Sequence, residues 1–479
     1  MSTRVPDQRA ESPPLALPPL IALSLGYFLV MLDVTVVTVA VPDIQRSLQA
    51  GPSAVQWSVD GYSVVFAALL LLGGGLGDRL GHRRTFLAGL AGFTGASVVC
   101  AVAMSPGMLI AGRLVQGAGA ALLVPTSLAL LAAAYPDRAV RARALGFWAG
   151  VAGVAFAAGP VLGGLLVSGL SWRAVFWLNI PVAAIAVVLI LRHVPSPASS
   201  GSPRRMDAIG QVLAIIGLTG IAGALNQAST EGWTSTVVIG SFAVGAAAIV
   251  AFVITEWRLE RNGAAPLLPP SLFTDPGFAA TAAIGVLLNL GYYGMLFVAT
   301  LYFQQQRGYD AMTTGLMLLP TVCTALVAAP ISGRITARYG PYRPMAAALL
   351  LGSAGFLGWL LAGPDTSYAA LLFALVATGL ATPSTVPAAT AAIIESAPSD
   401  KAGVASAVFN VSRQIGNAVG VALFGTLTVA SATMYDGLHA SAVIASAAFF
   451  TGATLALLAG RSRTTRSSTT AGATAAARL

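Results

Sequence analysis

The sequence predicts an all-α integral membrane protein, two six-helix bundles with two additional transmembrane helices and fourteen helices in total. Three observations predict it. Charged residues make up only 9% of the 479 residues and apolar ones 56%, against roughly 25% charge in soluble domains. Fourteen apolar stretches are each long enough to cross about 30 Å of hydrocarbon. A short glycine- and arginine-rich turn also occurs twice, eight spans apart.

In chain order the stretches fall at about 17–41, 54–76, 85–104, 107–133, 142–168, 172–191, 208–227, 234–255, 277–302, 313–333, 344–363, 367–394, 402–431 and 438–459. Pro42, Pro106, Pro364 and Pro398 mark span ends, because proline lacks the amide a helix interior needs. The first stretch is interrupted by Asp33 and lacks a small-residue cleavage site, so it reads as a retained span and not a signal peptide.

The net charge of +9 would suit nucleic acid in a soluble protein, but the placement of the charges excludes that partner. With the N-terminus on the cytoplasmic side, 21 of 26 Lys and Arg fall in inner segments and only Arg46, Arg173 and Arg307 in outer loops. This positive-inside bias predicts a multi-pass protein of the inner (plasma) membrane with both termini cytoplasmic, and it checks the span count. Cys100 and Cys323 lie far apart in apolar runs, which predicts packing and no disulfide.

The repeated turn is Gly74 to Arg84, containing Asp78, Arg79, Gly81, Arg83 and Arg84, and again Gly333 to Arg343, containing Arg338 and Gly340. It predicts a duplicated six-span unit with two helices inserted between the copies. The predicted organisation is therefore an N-terminal tail 1–16, an N-terminal bundle 17–192, a linker 193–206, two inserted helices 207–256, a second linker 257–276, a C-terminal bundle 277–460 and a disordered tail 461–479.

A charge at membrane depth costs several kcal/mol and is a functional candidate by default. Asp33 in span 1 and Arg113 in span 4 lie at depths that match within about 3 Å at 1.5 Å per residue. They predict a proton-coupling carboxylate whose protonation follows the approach of the arginine, or else a purely structural ion pair. Asp60, with Tyr62 beside it, sits near the outer mouth of span 2. It is either a second acid lining a cavity, attracting cationic substrate or relaying protons, or a helix N-terminal carboxylate favoured by the dipole.

Asn410, Arg413, Gln414 and Asn417 share one face of span 13, and Asn289, Tyr292 and Tyr293 form a polar and aromatic face on span 9. These faces are a cavity wall suited to aromatic or amphipathic ligands, or interhelical packing. Glycines at 146, 150 and 153 and the run Gly159-Pro160 with Gly163 and Gly164 let span 5 approach its neighbours closely, and the Gly-Pro step permits a bend. The only lysine is Lys401, so the chain has no phosphate-binding G-x-x-x-x-G-K-[ST] loop. His82, His193 and His439, read as loop residues, have no metal-ligand spacing, and no nucleophile with a base can be assembled. No metal, no cofactor and no enzymatic activity are expected.

On these residues the chain resembles the major facilitator superfamily, and within it the fourteen-span drug:proton antiporters. Leu32 to Pro42 is similar to the family's span 1 motif, Gly74 to Arg84 to its loop 2–3 motif, and Arg113 to Gly117 to its span 4 motif. Gly159 to Gly164 resembles the antiporter motif of span 5, followed by Trp172 to Pro181. The resemblance implies the major facilitator fold, in which two bundles alternate access to a central cavity and exchange protons for an exported compound. It implies that Asp78 and its basic neighbours latch the cytoplasmic side, that Arg113 assists proton transfer and that the span 5 glycines seal the bundle interface. Ala337 stands where the second turn would carry an Asp, and Thr38 where span 1 usually has Asn. The expected function is proton-driven export of amphipathic or lipophilic small molecules such as antibiotics, by a protein functional as a monomer in the bilayer. A dedicated exporter of one endogenous metabolite or lipid is the alternative, and a proton-coupled importer a more distant one.

Overall fold

The computed structural model describes residues 16–195, 207–264, 266–309, 311–398 and 401–476. Every regular element among them is helical. The N-terminal bundle contains α1 (Leu17–Leu48), α2 (Pro52–Leu80), α3 (His82–Ala101), α4 (Pro106–Ala134), α5 (Arg138–Gly169), α6 (Ala174–Trp177) and α7 (Asn179–His193). Two helices follow, α8 (Ala208–Glu231) and α9 (Thr236–Arg261). The C-terminal bundle contains α10 (Pro276–Leu301), α11 (Ala311–Cys323), α12 (Ala325–Tyr339), α13 (Tyr342–Leu357), α14 (Tyr368–Glu395), α15 (Ala402–Ala430) and α16 (Met434–Ala476). The pairs α6–α7 and α11–α12 each run as one apolar segment.

Among the described residues ten segments are long and apolar enough to cross a membrane, and α2, taken as one bent span, makes eleven. That measure leaves out α5, α8 and α15, and so does not reproduce the expected fourteen. In α15 the polar stripe Asn410, Arg413, Gln414 and Asn417 dilutes the apolar character.

The repeated turn is the same structure in both copies. Gly81 ends α2 and opens α3 at φ 91°, and Gly340 ends α12 at φ 77°, one residue before Pro341 opens α13. A side chain at either position would clash with its own backbone, which is why glycine recurs there.

Four expectations differ from the structure. Helix α1 continues past Pro42 to Leu48, because proline removes a single amide and the residues after it still pair. Helix α16 continues to Ala476 through the tail read as disordered, as an extension of the apolar helix before it with no proline to end it. His82, His193 and His439 lie in helices, not loops. Cys323 is exposed, whereas Cys100 is buried as expected. The N-terminal tail and most of the 193–206 linker lie outside the described residues.

Within the N-terminal bundle α4 packs on α2 and α3, and α1 on α5; in the C-terminal bundle α10 packs on α15 and α16, and α13 on α14 and α16. The two bundles meet along two seams, α5 against α12 and α2 against α15. Helix α8 touches both α2 and α15 and so lies along the second seam. At the far end of this insert the Trp233 indole donates to Thr426 Oγ1 of α15 at 2.6 Å.

Glycines decide how close the seams come. A methyl at Gly333 would lie 2.6 Å from the Ala142 carbonyl oxygen, and one at Gly146 would lie 2.8 Å from that of Ala329. Across the other seam a methyl at Gly74 would lie 2.7 Å from the Gly403 carbonyl oxygen. Backbone therefore meets backbone at both crossings, and dispersion contact replaces the hydrophobic drive that helices lack in lipid. Both crossings lie in the halves of the helices that carry Arg79, Arg138 and Arg334, so the structure closes the seam at its basic end.

Candidate functional site

A polar network sealed inside the N-terminal bundle centres on Asp33 of α1 and Arg113 of α4. Both side chains are at most 1% exposed. Arg113 Nη1 donates to Asp33 Oδ2 in a short charge-assisted contact and to Gln116 Oε1 at 2.9 Å. Its Nε donates to the Ser58 carbonyl at 2.9 Å, and its guanidinium lies 4.5 Å over the Tyr62 ring. The other carboxylate oxygen, Oδ1, accepts from Gln116 Nε2 at 3.2 Å and from Asn179 Nδ2 at 3.3 Å. Both amides also donate to Ser97 Oγ, at 2.8 and 3.2 Å.

Helices α4 and α7 thus converge on one carboxylate of α1, with Ser58 of α2 and Ser97 of α3 behind them, and every one of the carboxylate's contacts is a donor. Protonation of Oδ2 would displace the Arg113 N–H, and protonation of Oδ1 would displace an amide. Protonation of Oδ2 and its pairing with Arg113 are therefore alternatives.

A second cluster lies between the bundles at mid-depth. Arg413 of α15 is about 16 Å from the start of its helix and Tyr27 of α1 about 15 Å from its own, at 1.5 Å per residue. Arg413 Nη1 donates to Tyr27 Oη at 3.4 Å, and its Nε to Asn289 Oδ1 at 3.5 Å. Tyr27 in turn stacks on Trp148 of α5, ring centroids 3.8 Å apart.

The remaining predicted residues are distributed as follows. Tyr62 is fully buried against Arg113 and donates to the Val30 carbonyl, so it faces the sealed network and not a cavity. Asn410 turns back to the Ser406 carbonyl of its own helix. Tyr292 packs edge-on to Tyr293 and lines a small cleft inside the C-terminal bundle with Met295, Thr321 and Trp359. Gln414 and Asn417 are partly exposed on the Arg413 helix. The side chains of Asp60 and Pro160 lie outside the described residues.

The span 5 glycines separate into two sets. Gly146, Gly150 and Gly153 face α12, meeting Ala329, Pro330 and Ala325 across the seam. Gly159 and Gly163 instead meet Thr35 and Val36 of α1 inside the N-terminal bundle, and Gly164 meets nothing. Of the span 5 glycines expected to seal the bundle interface, Gly146, Gly150 and Gly153 lie on the seam, whereas Gly159 and Gly163 hold α5 to the Asp33 helix. This follows from where α5 leaves the seam: only its basic half lies against α12.

The predicted latch residues gather at the basic end. Asp78 Oδ1 is 3.3 Å from His82 Nε2 and lies 2.7 Å from where a Gly403 methyl would stand, at the first turn of α15. That helix start carries no side-chain cap from Lys401. The Asp78 carboxylate therefore supplies negative charge at the positive end of a helix in the other bundle. Arg83 donates to the Leu191 carbonyl at 3.0 Å, at the end of α7. Arg79 and Arg84 are exposed.

The absence of an acid at Ala337 has a counterpart in this arrangement. The start of α5, beside Gly340, is capped by its own Asp137, whose Oδ1 accepts from Val140 N at 2.8 Å. The seam is further tied by Arg138 Nε donating to Glu395 Oε1 at 3.1 Å. Asp78→Ala is therefore expected to weaken closure at the basic end more than any substitution at Ala337, read as a longer spin-label distance between cysteines placed at the exposed Leu80 and Tyr339 with Cys323 replaced by Ser. An equal distance with and without the Asp78→Ala substitution would refute the latch.

Gln116, Asn179, Ser97, Tyr27 and Trp148 complete the two clusters but did not stand out as functional. Gln116 and Asn179 lay inside recognised motifs, and their matched depth with Asp33 was the signal available. Among the described residues no group of three His, Cys, Asp or Glu is placed to hold a metal ion.

The comparisons agree with this architecture. The Major Facilitator Superfamily model matches residues 23–421. A methylenomycin A resistance protein of Bacillus subtilis (strain 168) is 38% identical over 443 residues, 92% of this chain and 93% of that protein. The multidrug resistance protein Stp of Mycobacterium tuberculosis (strain CDC 1551 / Oshkosh) is 36% identical over 87% of this chain and 76% of its own. The tetracenomycin C resistance and export protein of Streptomyces glaucescens is 34% identical over 86% and 75%. The crystal structure of the human organic anion transporter MFSD10 (TETRAN) superposes with a TM-score of 0.66 at 18% identity, over 93% of this chain and all of that one, a likeness of fold. On the family match and these relatives, this multi-pass membrane protein belongs to the Major Facilitator Superfamily.

Proposed function

We propose that the protein exports amphipathic small molecules, antibiotics among them, in exchange for protons. The observation that carries this reading is the sealed Asp33–Arg113 pair on the bundle whose α5 also forms the seam. Gly159 and Gly163 press α5 onto α1 beside Asp33, and Gly146 to Gly153 of the same helix close on α12. Protonation of Asp33 releases Arg113 and shifts α1, and α5 carries the shift to the seam. The proton gradient is the energy source, with no cofactor, and the protein works as a monomer in the plasma membrane. With the arginine-rich end cytoplasmic, the closed seam corresponds to an outward-facing state.

Relatives named for resistance to and export of drugs support the direction of transport. A narrower reading, export of one compound, is favoured by relatives named for a single antibiotic each.

The test uses acidified everted membrane vesicles containing wild type or Asp33→Asn, with a panel of antibiotics and lipophilic cations. Substrate-dependent alkalinisation is expected with wild type and should be lost with Asp33→Asn, because an amide does not titrate. Uphill transport by Asp33→Asn at the wild-type rate would refute the coupling role.

A further inference from the structure

From the arrangement around Arg413 we infer that the substrates are amphipathic anions, carboxylates foremost, and that Arg413 is the group that receives the negative charge. This deepens the export reading and rests on it. Asp33 is fully buried and already paired with Arg113, so it offers nothing to a cationic compound. Arg413 makes no ion pair among the described residues; its contacts are Tyr27 Oη at 3.4 Å, Asn289 Oδ1 at 3.5 Å and the Phe409 ring at 6.0 Å.

A guanidinium has five N–H donors in a planar fork that matches a carboxylate in two-point geometry. Two of those donors are engaged, at long distance and by neutral oxygens. A cation without a counter-ion at membrane depth is costly, and an anionic ligand neutralises it. The position is also central, on the line where α1, α10 and α15 meet and both bundles contribute.

The surroundings suit the rest of such a molecule. Tyr27 is held in place by its buried stack on Trp148, and the partly exposed Tyr293 ring of α10 offers aromatic surface for an apolar body. Partly exposed Gln414 and Asn417 continue the polar face along α15 and can take hydroxyl or carbonyl groups. Charge at one end and aromatic surface beside it select an amphiphile with an acidic terminus.

The experiment measures proton release from vesicles containing the full chain, with three probe classes: amphipathic carboxylate antibiotics, their amide or ester counterparts, and lipophilic cations. Wild type, Arg413→Gln and Arg413→Lys are compared at matched membrane levels. Carboxylates are expected to drive the response at least tenfold better than their neutral counterparts in wild type. Arg413→Gln should erase that preference, and Arg413→Lys should restore part of it. Ligand-induced thermal stabilisation of the purified protein, measured with the same probes, should follow the same order.

Cations or neutral compounds driving the response as well as carboxylates, or an unchanged preference in Arg413→Gln, would overturn the anion assignment and leave the export reading standing. Silence toward all three classes with folded protein present would overturn the export reading, and the anion assignment with it.

Discussion

Arg113→Met is expected to abolish transport and to lower stability by about 3–5 kcal/mol, the range for removing one partner of a buried ion pair. The loss comes from what remains. Asp33 would keep the Gln116 and Asn179 amides as donors at 3.2 and 3.3 Å but no counter-charge. The Ser58 carbonyl would lose its Arg113 donor, and the Tyr62 ring its cation. Thermal unfolding of the purified protein reads the stability, and proton-driven transport in vesicles reads the function.

A double variant separates the two roles. Asp33→Leu with Arg113→Met replaces the pair by apolar side chains, which in buried sites is often neutral or stabilising. It should recover much of the stability lost in Arg113→Met and none of the transport. Recovery of both would mean that the pair is architectural and that the titrating group lies elsewhere. Arg113→Lys tests geometry: an ammonium keeps the charge, yet it cannot serve Asp33, Gln116 and the Ser58 carbonyl through one planar fork.

The sequence made the pair itself legible, because the two charges stand at matching depth in separate apolar runs and depth follows from residue count. Its partners were harder to read. Whether Gln116 and Asn179 point at Asp33, and Ser97 at their amides, depends on the rotation of α3, α4 and α7 about their axes, and glycine-rich apolar helices carry little amphipathic pattern to fix that rotation. The same uncertainty set Tyr62 against a cavity when it faces Arg113, and assigned Gly159 and Gly163 to the bundle interface when they face α1. The repeated turn was legible down to its glycine, since a positive φ leaves few other residues possible. That Asp137 caps α5 while Asp78 stands at the start of α15 was not, because the two acids serve helices of different bundles and stand 59 residues apart. Pro42 misled because a proline signal is local, and the rest of α1 still pairs around it.

Gly146→Val is expected to reduce transport to background while the protein remains folded and inserted. A methyl alone at Gly146 would stand 2.8 Å from the Ala329 carbonyl oxygen and 2.9 Å from Gly333 Cα. Those are backbone atoms, which no rotamer change can remove, so α5 and α12 have to separate. The basic end would then stay open, and a cycle that requires it to close stops. The readout is the spin-label distance between cysteines placed at Leu80 and Tyr339, both exposed at the basic end on opposite bundles. The exposed native thiol is removed by Cys323→Ser. Gly146→Val should lengthen that distance and Gly146→Ala should do so less. Gly164→Val makes a control, because a methyl there meets nothing within 4 Å; it should move neither the distance nor the rate. An unchanged distance in Gly146→Val, with transport intact, would mean that this crossing is not the seal.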